Sequence, residues 1–156
     1  FTFFIFRGSQ AAKKNHMVLL LKNPIYTQPI IINMRKITED AVKAFLNESE
    51  FKRGNTEVKV WHVEPNIPND YTPLTVVTNL SLHGNIIAKM VKQHINGEYQ
   101  TSITITSAGW KTVTTKERLN GLLHHLNAGS IYQRNFEWYL NDENWDGYDL
   151  TVWSSK

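Results

Sequence analysis

Basic and aromatic residues gather in one short part of the chain, where they could bind a phosphate group and a base. Lys111, Lys116 and Arg118 surround the predicted start of a helix, and Trp110 comes directly before them. The free amides and the positive dipole end at a helix start favour a phosphate, and an indole ring can stack on an unpaired base. These residues predict a nucleic-acid-binding surface.

Two lysines of the preceding predicted hairpin, Lys89 and Lys92, would extend this basic patch. The competing interpretation is an ordinary solvated surface, because Glu117 and Glu98 are close in the sequence and would balance part of the charge. Lysine and arginine lie at the surface of most folded proteins whether or not they bind a ligand. Both interpretations stay open on the sequence.

A further candidate is the predicted strand from Ile131 to Leu140. Alternate residues of a strand share one side, so one face would carry an arginine among three aromatic rings: Tyr132, Arg134, Phe136 and Trp138. Such a face suits stacking on unpaired bases. The simpler interpretation is that these rings form the core surface opposite the next helix upstream.

An acidic stretch late in the chain matches part of a calcium-binding loop. Asp142, Asn144, Asp146 and Gly147 fit the first six positions of the EF-hand pattern. The match then fails, because the twelfth position is Trp153 instead of the glutamate that completes the oxygen ligands. We therefore predict a solvated hairpin tip without a bound metal.

No complete catalytic or cofactor motif is present. None of the six histidines pairs with another at the i, i+4 spacing that places two imidazoles on one helix face. The chain has no glycine-rich phosphate loop and no Gly-x-Ser-x-Gly elbow. It also has no cysteine, which excludes a thiolate nucleophile, a disulfide and any cysteine-containing zinc site. We predict no catalytic residue, no metal site and no cofactor.

Composition and charge indicate a folded protein of about one domain. The 156 residues are 41% hydrophobic and 20% charged, close to the globular average. The net charge of +3 is uneven: residues 1–65 contain 10 Lys and Arg against 6 Asp and Glu, and residues 66–156 contain 7 against 8. The apolar run from Phe1 to Phe6 is too short to cross a bilayer, so no membrane association is expected.

The elements of the first half are expected to be three strands, a helix and a further strand. The three strands are Phe1 to Phe6, Met17 to Lys22 and Ile30 to Met34. Thr38 would cap the helix, which runs towards Gly54. Val58 to Val63 then alternates like a strand. Three prolines then break the chain between Glu64 and Leu74. We predict a basic half over residues 1–65, a connector over 66–74 and a second half over 75–156, or one compact domain overall.

The second half reads as strand, hairpin, strand, helix and final hairpin. His83-Gly84-Asn85 turns Leu80–Leu82 into Ile86–Val91, and Thr101–Thr106 follows Asn96-Gly97. Thr114 and Glu117 have the spacing of a capping box, and an apolar stripe continues the helix through Leu119, Leu122, Leu123 and Leu126. The final hairpin would join Ile131–Leu140 to Tyr148–Trp153 around Asp146-Gly147. The predicted fold class is α+β, a mainly antiparallel sheet with two short packed helices.

Several short motifs of the second half resemble a group of proteins from tailed-phage genomes. They are LHGNxIA from Leu82, GWxTxTTxxRLN from Gly109, YQR from Tyr132, WYL from Trp138 and WDG from Trp145. The similarity covers residues 78–153. It implies a phage origin and carries no activity or catalytic residue with it.

Taken together, these features favour a non-enzymatic, phage-type binding protein that engages nucleic acid. Its contact residues would be Trp110, Lys111, Lys116 and Arg118 with Lys89, Lys92 and Arg134. The second hypothesis is a protein-interaction module, either an inhibitor of a host factor or a subunit of a larger assembly, with homo-oligomers left open. The third is a small-molecule enzyme with an interface pocket. For a phage protein of the first kind, the expected location is the cytoplasm of the infected host cell.

Overall fold

The computed structural model of the protein describes residues 34–63, 75–95 and 97–155. Within these residues the chain forms two helices and nine strands. In chain order they are α1 (Lys36–Leu46), β1 (Phe51–Arg53), β2 (Thr56–Val63), β3 (Thr75–Leu82), β4 (Asn85–Ile95), β5 (Glu98–Ile105), α2 (Val113–His125), β6 (Ile131–Arg134), β7 (Glu137–Leu140), β8 (Glu143–Asn144) and β9 (Leu150–Ser155).

The strands form two antiparallel sheets. The larger one has six strands in the order β1-β2-β3-β4-β5-β9, and the smaller one has three in the order β6-β7-β8. With two helices beside these sheets, the predicted α+β class with a mainly antiparallel sheet is confirmed. Because β2 pairs with β3 along its whole length, strands from both sides of the residue 64–74 segment share one sheet. The proposed division of the chain at residues 66–74 stays a prediction.

Both helices pack against the sheets and complete one hydrophobic core. Helix α1 contacts β1, β2 and β3, and α2 contacts α1, β4 and β6. One row of paired residues crosses the covered face of the large sheet and is buried: Val58, Leu80, Ala88 and Ile105. The opposite face, which we call the exposed face, carries Lys59, Trp61 and Lys89. Since successive residues of a strand point to opposite sides, this division follows from the register.

The turn between β3 and β4 has the form that the sequence predicts. His83 and Gly84 both have positive φ, 52° and 81°, and Leu82 pairs with Asn85. Two consecutive positive φ values are typical of the tight hairpin turns that match the twist of the strands. The strand predicted at Val58–Val63 is also present, as part of β2.

Helix α1 begins at Lys36, two residues before Thr38, so the predicted cap is wrong. Arg35 occupies the cap position, and Thr38 lies inside the first turn with no exposed surface. The helix ends at Leu46 instead of continuing towards Gly54, and the short strand β1 follows it. Thr38 faces α2, where its hydroxyl forms hydrogen bonds with the side chains of Glu117 and Arg118.

Helix α2 is present with its apolar stripe, but the predicted capping box is wrong. Thr112 is the cap: its hydroxyl accepts a hydrogen bond of 3.1 Å from the amide of Thr115. Thr114 is the second residue of the helix, and Glu117 turns to α1 instead of reaching back along its own helix. Three threonines stand within four positions here, so the spacing alone did not distinguish the cap from its neighbours.

The segment Ile131–Leu140 is a hairpin and not one strand. Asn135 and Phe136 have positive φ and turn β6 into β7, so Tyr132 pairs with Tyr139 and Arg134 with Glu137. The predicted common face is therefore wrong. Tyr132 and Arg134 lie on the outer face, Phe136 lies in the turn, and the fully buried Trp138 points the other way.

The last strand also pairs differently from the prediction. Instead of forming a hairpin with the Ile131–Leu140 segment, β9 is the edge strand beside β5 in the large sheet. The three predicted N-terminal strands, apart from Met34, and the proline-rich connector lie outside the described residues. No helix among the described residues is long and apolar enough to cross a membrane.

Candidate binding site at the start of helix α2

A pocket of about 400 Å³ opens between the β3–β4 hairpin and the start of α2. We call it the Trp110 pocket, because Trp110 lines it while remaining 62% exposed. Its lining residues are Leu82, His83, Asn85, Ile87, Ser107, Trp110, Thr112, Thr114 and Thr115. None of these nine residues is acidic, and none is a lysine or arginine. Its polar surface therefore comes from hydroxyl, amide and imidazole groups.

The hairpin wall of the Trp110 pocket is held by the neighbouring β1–β2 turn. The amide of His83 donates to the carbonyl of Asn55 over 2.7 Å, and the side chains of the same two residues are 2.7 Å apart between Nε2 and Nδ2. Asn85 adds a 3.4 Å bond from its side chain to the His83 carbonyl. These contacts position two polar side chains at the pocket without burying them.

The opposite wall is the loop that carries Trp110 from β5 to α2. Ser107 donates its amide to the carbonyl of Gly147 over 2.8 Å, and Trp110 donates its amide to Ser107 over 2.8 Å. Gly147 is required at this contact, since a Cβ there would lie 2.4 Å from the Ser107 hydroxyl. The loop is thus tied to the segment before β9, which holds the indole beside the helix start.

The start of α2 contributes polar groups to the same pocket. Thr112 and Thr115 are engaged with each other, since their hydroxyls lie 2.9 Å apart. The amides of Val113 and Thr114 belong to the first turn, where no carbonyl lies one turn earlier in the helix to accept them. An anion beside this end of the helix is favoured by the helix dipole.

Lys111 connects the pocket loop to the outer face of the small sheet. Its ammonium lies 3.5 Å from the carboxylate of Glu137, and Glu137 pairs in register with Arg134. Arg134 rests over the ring of Tyr139 at 4.7 Å, and Tyr139 stacks on Tyr132 with 5.4 Å between ring centres. Trp110, Lys111 and Arg134 therefore belong to adjoining parts of one surface.

The tyrosines of this outer face are oriented by charged neighbours. Tyr132 donates its hydroxyl to Asp142 over 2.7 Å, and this bond raises the pKa of Tyr132. The guanidinium of Arg134 against Tyr139 lowers the pKa of this tyrosine, and the same contact raises the pKa of the guanidinium. Arg134 consequently keeps its positive charge while its planar group lies against a ring, an arrangement that leaves N–H donors for a further acceptor.

Arg118 is not part of this surface, which corrects its predicted position beside Lys111 and Lys116. Its side chain is buried and lies in a cluster that we call the polar junction: Thr38, Thr56, Glu117 and Arg118. The guanidinium donates to Thr56 over 3.3 Å, to Thr38 and to Glu117, and Thr38 in turn donates to Glu117. The arginine links α2 to α1 and β2 and has no open side for a phosphate.

The other predicted basic residues are dispersed. Lys92 lies on the covered side of the sheet and forms a 2.8 Å ion pair with Glu48, so it does not extend the patch. Lys89 lies on the exposed face, on the other side of the sheet from Lys92. Lys116 is half-buried on the first part of α2 and forms no ion pair with any residue that the structure describes. Of the seven predicted contact residues, Lys111 and Arg134 both lie beside Glu137. Trp110 directly precedes Lys111 in the chain, and Lys116 lies on the adjoining helix.

Sequence reasoning missed most of the polar residues that line the pocket. His83 and Asn85 belong to the LHGNxIA motif but are interpreted there only as turn residues, Thr112 belongs to GWxTxTTxxRLN, and Ser107 lies outside both motifs. They meet because β3–β4 and the loop after β5 lie side by side in the fold. The signal in the sequence was the pair of motifs LHGNxIA and GWxTxTTxxRLN, which contain most of the lining residues. Nothing in either motif indicates that the two segments meet.

The side-chain oxygens of the acidic turn, residues 142–147, are not arranged around a common point where a metal ion could bind. Asp142 accepts from Tyr132, Asp146 accepts from the amide of Tyr148 over 2.9 Å, and Asn144 lies in β8. Within residues 34–63, 75–95 and 97–155, no group of three or more histidines, cysteines and acidic residues could hold a metal ion. The Asp146-Gly147 turn leads to the strand beside β5, so it is not the hairpin tip that the sequence predicts.

Fold and pocket together define a small α+β sheet protein with an uncharged surface pocket walled by an exposed indole. Residues 34–155 match the family model described as Kyanoviridae Gp96 protein, so the chain belongs to this family of phage proteins. The predicted phage origin is confirmed as membership of a phage protein family. The match begins at residue 34, whereas the resemblance carried by the short motifs begins at residue 78. No curated protein and no solved structure matches the chain.

Proposed function

We propose that this phage protein binds nucleic acid through the surface formed by Trp110, Lys111, Lys116 and Arg134. The observation that carries the proposal is the 62% exposed indole of Trp110 at an uncharged pocket, next to a helix start and a lysine. A partner that covers this ring would remove apolar surface from water, which is favourable. Bases supply a flat partner for the ring, and phosphates supply the charge for its basic neighbours.

The geometry narrows the predicted set of contacts. Arg118 and Lys92 are engaged in internal contacts, and Lys89 lies on the exposed face of the sheet. The remaining cations can make only a few phosphate contacts, so moderate affinity with a shallow salt dependence is expected. Binding of this kind in an infected cell would place the protein in the host cytoplasm.

The test is a titration of a fluorescently labelled oligonucleotide at several salt concentrations. We expect the variant with Lys111→Ala and Lys116→Ala to bind more weakly and to reduce the salt slope by about one unit for each lost phosphate contact. The matched control removes Lys59 and Lys89 from the exposed face and should retain wild-type binding. Equal affinities of the two double variants, or no binding by the wild type at low salt, would contradict the proposal.

A second candidate function, binding to another protein, is supported by the exposed face of the large sheet. Trp61 is 44% exposed and Val63 51% exposed, and Val77 and Val91 lie on the same face. Apolar side chains that adjoin on a surface are typical of protein contacts. The simplest form of this hypothesis is that the protein associates with itself, and light scattering on the wild type and on Trp61→Lys tests it. A dimeric wild type and a monomeric variant would support the hypothesis.

A further inference from the structure

We infer that the Trp110 pocket receives one unstacked base, so that the ligand is single-stranded nucleic acid and not a duplex. The inference rests on the proposed function and specifies the form of the ligand. Its evidence is the size of the pocket, the absence of formal charge among its lining residues and the arrangement of its apolar and polar walls.

The size of the pocket limits what can enter it. Ligand pockets usually have volumes of about 300–1,000 Å³, and the Trp110 pocket, at 400 Å³, belongs to the small end of this range. A single base with its sugar fits such a volume. Bases inside a duplex are paired and stacked, so only an unstacked base can present its face to the indole.

The lining matches an uncharged, flat ligand with a polar edge. Leu82 and Ile87 provide apolar surface and Trp110 provides a ring for stacking, while His83 and Asn85 provide hydrogen-bonding groups at the hairpin side. None of the nine lining residues is acidic, lysine or arginine, so an uncharged ring can enter the pocket without leaving a charged side chain unpaired.

The cations lie outside the pocket, where the backbone of a bound strand would pass. Lys111 directly follows Trp110 in the chain, and its ammonium is at Glu137 on the small sheet. Arg134 lies next to Glu137 in register. A strand with one base in the pocket would thus bring its neighbouring phosphates to these side chains, which separates recognition of the base from recognition of charge.

The experiment compares three labelled ligands of equal length: a single-stranded oligonucleotide, the matching duplex, and a single strand in which every base is absent. We expect the first to bind at least about tenfold more tightly than the third, because only a strand that carries bases can stack on the indole. The duplex should also bind more weakly than the single strand. The variant Trp110→Ala should remove the advantage of the first ligand, and Trp110→Phe should restore most of it.

The control variant is Trp61→Ala, which removes an exposed tryptophan from the other face of the sheet and should leave all three affinities unchanged. If the oligonucleotide binds but the duplex or the strand without bases binds equally well, or if Trp110→Ala weakens all three ligands by the same factor, the inference is wrong while the proposed function stands. If Trp110→Ala has no effect on binding, the proposed function, which includes this side chain, is wrong as well. If none of the three ligands binds at low salt, both are wrong.

Discussion

Helix α2 contributes polar side chains to two regions with opposite properties. In the polar junction, Arg118 is 2% exposed, and its donors are matched by hydroxyl groups and by the carboxylate of Glu117. At the Trp110 pocket, less than two turns earlier, the indole is mostly in water and the first-turn amides have no intrahelical acceptor. The same helix therefore stabilises the fold through one region and presents open groups through the other.

The comparison shows why residue type alone was a poor guide to the site. Arg118 and Lys111 have the same charge and were both predicted near the start of α2, yet Arg118 is enclosed and Lys111 lies beside Glu137. A buried guanidinium without its partners would be very unfavourable. Substitutions in the junction should consequently affect stability, and those at the pocket should affect binding.

The largest effect is expected from Arg118→Ala. This change leaves the hydroxyls of Thr38 and Thr56 without their buried partner and opens a cavity, so it should lower the free energy of unfolding by on the order of 3 kcal/mol. Arg118→Lys should recover little, because an ammonium lacks the planar fork that reaches both threonines. Denaturant titration measures both changes. Lys116→Ala is the control. If the two alanine variants had the same free energy of unfolding, the polar junction would contribute nothing to stability.

A smaller loss of stability is expected from Gly121→Ala, although alanine is the better helix former. A Cβ at this position would lie 2.6 Å from the Cγ2 of Thr38 and 3.5 Å from that of Val42. Overpacking of this kind costs about 1–3 kcal/mol, more than the gain in helix propensity of about 1 kcal/mol. Thermal unfolding compares this variant with His124→Ala on the exposed side of α2; a more stable Gly121→Ala would mean that the two helices separate easily.

The next effect distinguishes the true cap of α2 from its neighbour. Thr112→Ala should lower stability by about 1 kcal/mol because Thr115 loses its acceptor. Thr114→Ala should cost less, since Thr114 is not the cap residue. Denaturant titration of the two variants makes the comparison directly, and the reverse order of stabilities would restore the capping box that the sequence predicts.

A modest gain in binding is expected from Glu137→Gln. Removal of the carboxylate frees Lys111 from its 3.5 Å ion pair and lowers the negative charge beside Arg134. Exposed ion pairs are worth about 0.2–1 kcal/mol, so the oligonucleotide affinity should rise by about twofold to fivefold at low salt and less at high salt. Glu143→Gln, on the neighbouring strand, is the control. A fall in affinity with Glu137→Gln would place the ligand elsewhere.

The smallest expected effect is that of calcium. Asp142 and Asp146 accept hydrogen bonds from Tyr132 and from the amide of Tyr148, so their oxygens are not arranged around a common point. Calorimetry with calcium should give no binding heat in the micromolar range. A measurable affinity that Asp142→Ala abolishes would contradict this prediction.

Local pattern was enough to predict the elements that depend on short-range physics. The His83-Gly84 turn followed from the need for positive φ, and the stripe of Leu119, Leu122 and Leu123 followed from the helical period. The errors occurred where neighbouring residues compete for one role, as with Thr112 and Thr114. They also occurred where two positive φ values at Asn135 and Phe136 divide what reads as one strand.

By itself the sequence determined the fold class, the two helices and the position of Trp110 and Lys111 directly before α2. The tertiary structure alone decided that β9 pairs with β5, that Arg118 is enclosed by Thr38 and Thr56, and that the hairpin of His83 meets the loop of Trp110. The physical reason is the range of the interactions. Periods, caps and turns are set within a few residues, whereas burial and strand partners depend on groups that are tens of residues apart and become neighbours only in the folded chain.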